Sequence, residues 1–136
     1  MGKYIFLLSL GAVALFGKWQ AEGPTLIGAQ GRLQWQNEAR DASGERVWRD
    51  AKKYCASLEL AGYYDWRLPH KAELKALHEA VANGEVALAH AEDDVYWSAD
   101  VYRKLPINMW AIYWGNGHLF DQDRCDEAYV RCVRDR

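Results

Sequence analysis

No apolar run in the 136 residues reaches the length of a membrane span; the longest, Tyr4 to Phe16, covers thirteen positions. A spanning helix needs about 20 such residues. There is no excess of positive charge either, with seventeen basic against nineteen acidic side chains, and this excludes a generally basic nucleic-acid binder. Cysteines number only three, at 55, 125 and 132, and no C-x-x-C occurs. The four histidines are scattered at 70, 78, 90 and 118, so a zinc site is not expected. Repeats and low-complexity tracts are absent, and 18 aromatic residues are too many for a disordered chain that buries no core. What is abundant is aromatic: seven Trp and eight Tyr in a chain sized for one domain.

Lys3 followed by the run from Tyr4 to Phe16 reads as a secretory signal, with an uncleaved N-terminal anchor as the alternative. Residues 1–21 are assigned to this segment and 22–136 to a single domain, although Ala12-Val13-Ala14 also offers a small-x-small site. Loss of Lys3 and Lys18 with the signal leaves a net charge of −4. The destination is extracytoplasmic, periplasmic or at the cell surface, and the membrane is met only through a retained N-terminus.

An oxidising compartment permits one disulfide and leaves one thiol over. Cys55 lies in a helical pattern and Cys132 in an alternating strand, so their bond would tie the first helix to the last strand. Cys125 stands seven residues before Cys132, an odd separation that on a strand puts the two side chains on opposite faces. The expected pair is Cys55–Cys132, with Cys125 free or joined to another molecule.

Along the domain, residues 28–36 read as a turn and a short strand with Leu33 and Trp35 on one face. Val47, Ala51, Tyr54, Cys55 and Leu58 form the stripe of an amphipathic helix ended by Gly62. Pro69 leads into a second helix, with Leu74, Leu77 and Val81 as its stripe and Asn83-Gly84 as its stop. Glu73 stands three residues after His70, the spacing of a capping box with His in place of Ser or Thr. Strands are expected at 95–99, 109–114 (buried by composition), 118–122 and 128–134, with a hairpin at Gly115-Asn116-Gly117. Two helices on small antiparallel sheets give an α+β class, with the N-terminal strand paired near the C-terminal strand.

Four segments in this order, WRDAKKYCASL, GYYDWRLPHKAEL, YWSA and YVRCVR, resemble the bacterial domain named after the C-terminal part of the Legionella collagen-like adhesin, over Gly31 to Arg134. The second segment is also similar to the R-L-P-T-E-x-E-W signature of the formylglycine-generating sulfatase-activating family. The resemblance implies a C-type-lectin-like fold, in which a disulfide from the first helix to the last strand is usual. Within it, Asp65, Trp66, Arg67, Pro69 and Glu73 are read as a structural motif, with Asp65 and Glu73 as the nearest partners for Arg67.

The function expected is an exported, non-catalytic binding module for a glycan or other surface polymer. Aromatic faces stack well on sugar rings. The expected ligand surface combines Tyr102, Arg103 and Lys104 with the hairpin residues Asn116 and His118, because long loops carry variation. Arg46, Arg49, Lys52 and Lys53 read as a solvated helix face. No cofactor is expected: the calcium-lectin triplets are missing, and Asp121, Asp123, Asp126 and Glu127 lack an EF-hand spacing. The alternative is an envelope protein-interaction module, homo-oligomeric or bonded through Cys125. A copper enzyme of formylglycine-generating type would need Cys125 and Cys132 both as thiols.

Overall fold

The structure, a computed structural model, describes residues 18–39 and 44–136. The run read as an export signal lies outside them, apart from its last four residues. Four short strands, β1 (Gln20–Glu22), β2 (Thr25–Ile27), β3 (Leu33–Gln36) and β7 (Val133–Asp135), form an antiparallel sheet in the order β1-β2-β3-β7. A second antiparallel sheet holds β4 (Val95–Val101), β5 (Asn108–Tyr113) and β6 (His118–Asp123) in that order. Between β3 and β4 run the helices α1 (Trp48–Ser57) and α2 (Lys71–Ala82). The class is α+β, and the strand nearest the start of the matched motifs, β3, pairs with the last strand through Leu33↔Asp135 and Trp35↔Val133.

The core has two apolar clusters. One gathers Ala51 and Cys55 of α1, Trp66, Leu68, Trp97 and Cys132. The other packs Leu74 and Leu77 of α2 against Leu26, Trp35, Tyr96 and Val133. Cys55 and Cys132 are bonded, with Cα atoms 5.6 Å apart and a sequence separation of 77. In the chain-entropy account, closing a loop of that length stabilises the fold by about 4 kcal/mol. The bond leaves Cys125 free and exposed.

Three expectations need correction. The first helix stops at Ser57, five residues before Gly62, because Leu58 turns to extended backbone (ψ 128°); Gly62 instead serves a later turn with φ +83°. Residues 128–134 are not one strand. Ala128 bridges Arg46, Tyr129 bridges Tyr96 in parallel, and only Val133 onward joins a sheet. Ala128 and Val130 to Val133 are all buried, so no exposed face alternates with a buried one. The structure adds a hairpin, β1–β2, in which Ala21 pairs with Leu26. Finally β5 is not buried throughout, since Trp110 is half-buried and Tyr113 exposed.

Candidate functional site

The motif Asp65 to Glu73 is built into the frame. Trp66 and Leu68 are each 3% exposed and point into the core, while Arg67 between them is half-buried and faces charge. Its guanidinium donates to Glu73 Oε1 and Oε2 at 2.9 and 3.0 Å and to both oxygens of Asp135 at 3.0 Å. Asp65 does not pair with it. Asp65 instead accepts from Arg134, at 2.7 Å from Nε, and Arg134 also donates to Gln34 Oε1 and lies over the Tyr63 ring. The backbone bridge between Arg67 and Val133 brings Asp135 to Arg67 and Arg134 to Asp65.

These pairs set the local acidities. Hydrogen bonds from Arg134 hold Asp65 below the ordinary carboxylate range, and those from Arg67 do the same for Asp135. Burial pushes Glu73 up, but Arg67 and the His70 N–H together bring it below its usual value. Arg67 and Arg134 are raised by the same hydrogen bonds to their carboxylate partners.

The start of α2 is fixed from both directions. Glu73 Oε1 accepts the His70 N–H at 2.8 Å, the carboxylate half of the capping box. Asp100, at the end of β4, accepts the Lys71 N–H at 2.6 Å and stands 3.0 Å from His70 Nδ1. A carboxylate at a helix N-terminus is also favoured by the macrodipole.

Beside that cap lies an open cavity of about 600 Å³ lined by Lys71, Asp100, Tyr102, Arg103, Lys104 and Trp110. Lys71 Nζ sits 3.8 Å from the centre of the Trp110 ring, and Tyr102 meets the same indole edge-on at 5.0 Å. Three cations from two elements thus surround two aromatic rings, while the one carboxylate is engaged by the cap. Three of these residues were expected. Lys71 and Trp110 were not, because only the fold brings the helix start and β5 against the 102–104 loop, and the composition of β5 disguised a half-buried indole.

Asn116 and His118 lie elsewhere. The β5 register puts the 102–107 connection at one end of the sheet and the 114–117 hairpin at the other, about 17 Å apart along six residues of strand. The Asn116 side chain accepts the His118 N–H at 2.9 Å, and the hairpin is held to α2 by Lys75 Nζ on Gly117 O and His78 Nε2 on Trp114 O. The five expected ligand residues therefore do not form one surface. Just before α1, Arg46 lies over the Tyr54 ring; on α1, Lys52 lies over Trp48, Arg49 is 4.0 Å from Asp50, and Arg49, Lys52 and Lys53 are exposed, as on a solvated helix face.

No group of three or more His, Cys, Asp or Glu among the described residues is arranged to hold a metal ion. With Cys132 in the disulfide, the thiol pair needed for copper does not form. A model of the Lcl C-terminal domain family matches residues 25–134. Comparison with curated proteins found no match.

Proposed function

Because the chain belongs to the Lcl C-terminal domain family, an adhesion-type family named for a Legionella collagen-like protein, we propose that it is a non-catalytic module that binds a surface glycan outside the cytoplasm. The disulfide supports the location, since such bonds persist in oxidising compartments. The helix-to-last-strand bond also supports the C-type-lectin-like frame that the sequence resemblance implies.

The observation that carries the reading is the cavity of Lys71, Tyr102, Arg103, Lys104 and Trp110. Rings offer faces to sugar C–H groups, and the three cations donate to hydroxyl or carboxylate oxygens. The test is binding to a panel of immobilised bacterial and host polysaccharides. Replacing Tyr102, Arg103 and Lys104 together with Ala is expected to lower retention about tenfold or more, as loss of a clustered contact does. Unchanged retention overturns the placement.

A second reading, a protein-interaction module of the envelope, is favoured by one feature, the exposed free thiol of Cys125. Nonreducing electrophoresis of the native protein showing a dimer that Cys125→Ser abolishes would support it.

A further inference from the structure

A second cavity, of about 510 Å³, opens between α2 and the four-stranded sheet. Trp19 and Leu33 line one side, Ala72 and Ala76 the other, and the buried pair Trp35 and Leu77 underlies both. Its size falls within the roughly 300–1,000 Å³ of small-molecule sites. Lys71 belongs to the first cavity, and Ala72 and Glu73 to the second, so the first turn of α2 stands between them.

We propose that this cavity is a second sugar subsite, taking an N-acetylated hexosamine ring from a chain whose neighbouring residues reach the Trp110 cavity. The proposal rests on the glycan reading above. The charges at the cavity balance: Arg32, Glu73 and Asp135 line it, and Arg67 bridges the two carboxylates. A neutral ligand suits that balance. Glu73 Oε1 is filled by Arg67 and the His70 N–H, but Glu73 Oε2 and both Asp135 oxygens retain lone-pair capacity beyond their bonds to Arg67, enough to accept a hydroxyl or amide N–H. Arg32 supplies donors on the exposed side.

The apolar part fits the same ligand. The half-buried Trp19, kept where the N-terminus is retained or cut after Ala14, presents an indole to ring C–H groups, and the exposed alanines Ala72 and Ala76, one turn apart, leave room for a methyl. Trp35, 1% exposed, forms the floor beneath these groups. A bare aliphatic chain would leave Arg32 and the carboxylates unanswered. Since a helix with its side chains is about 10–12 Å across, only an oligomer of several sugars occupies both cavities.

The test titrates the full chain with chito-oligosaccharides from the monosaccharide to the hexasaccharide by calorimetry. Affinity is expected to rise with length and then level off. Ala76→Trp, which fills the cavity from an exposed helix position, and Arg32→Ala, which removes a donor from an exposed loop, are each expected to weaken hexasaccharide binding about tenfold, some 1.4 kcal/mol. Wild-type affinity in Arg32→Ala, together with wild-type affinity in a folded Ala76→Trp, overturns the subsite. So does failure of the whole ladder to bind. If the polysaccharide panel is still retained through Tyr102, Arg103 and Lys104 in that case, only the second subsite falls. If the panel fails too, the glycan reading falls with it.

Discussion

Arg67 joins three parts of the chain that are remote in sequence: its own extended segment, the first turn of α2 through Glu73, and β7 through Asp135. Arg67→Gln is expected to lower stability by about 1–2 kcal/mol in urea unfolding, below the full value of buried charge-assisted bonds because the group is partly exposed. The carboxylates around it predict an acid limb. Asp65, Glu73 and Asp135 are all depressed in the folded state, from 3.8 for the aspartates and 4.5 for the glutamate. Between the folded and unfolded values the unfolded chain binds more protons, so stability rises with pH there. Their contribution is complete above those unfolded values and is lost as pH falls through the native ones. Melting temperature measured downward from pH 7 should therefore hold and then drop below about pH 4.5, with a shallower drop in Glu73→Gln. Gly117 is the other sensitive position. Its φ is +76°, and an added Cβ would stand 2.5 Å from the His78 ring. Gly117→Ala should cost more than about 1 kcal/mol, checked by the same unfolding measurement. Only half of the Arg67 pairing could be read from sequence. Glu73 is six residues away, whereas Asp135 arrives through sheet register across 68 residues, displacing Asp65 to Arg134.

Elements with a long apolar period were the readable ones. Both helices carry stripes of three to five residues, and their positions were recovered to within a few residues at each end. Strands of three residues, such as β1 and β2, are too short to show a period at all. Their hairpin depends on Gly23 at φ +56° and on Leu26 reaching the core. A chain beginning at Glu22 loses Trp19 and most of β1, and should melt about 4 °C or more below one beginning at Lys18. The α2 cap was half hidden for a similar reason. Glu73 lies in the helix itself, but Asp100 comes from β4, with the sequence between them giving no sign of it. Asp100→Ala should cost about 1 kcal/mol, the usual value of a lost cap, with α2 amides exchanging faster in its first turn.

At the scale of the molecule, the α+β class and the Cys55–Cys132 pair followed from element order, because a helix and a late strand at that spacing must meet to share a core. The ligand surface did not follow. Whether two loops share an end of a sheet is decided by strand register, and here Tyr102 and Asn116 fall at opposite ends of β5. The disulfide is the strongest single constraint on the whole. Replacing both cysteines with Ser should remove about 2–5 kcal/mol, read as a lower urea midpoint that reductant no longer shifts.

Residues 128–133 touch Arg46, Val95, Trp97, Gln36 and Arg67 through backbone hydrogen bonds and supply one sulfur of the disulfide. The two sheets meet across this stretch. In the order of synthesis it comes after every other core element, so a nascent chain holds its helices and strands without the piece that joins them. Long-range closure of this kind is slow, and it is coupled here to oxidation of the last cysteine made. Closure of the two-sheet core thus waits on the stretch that is made last.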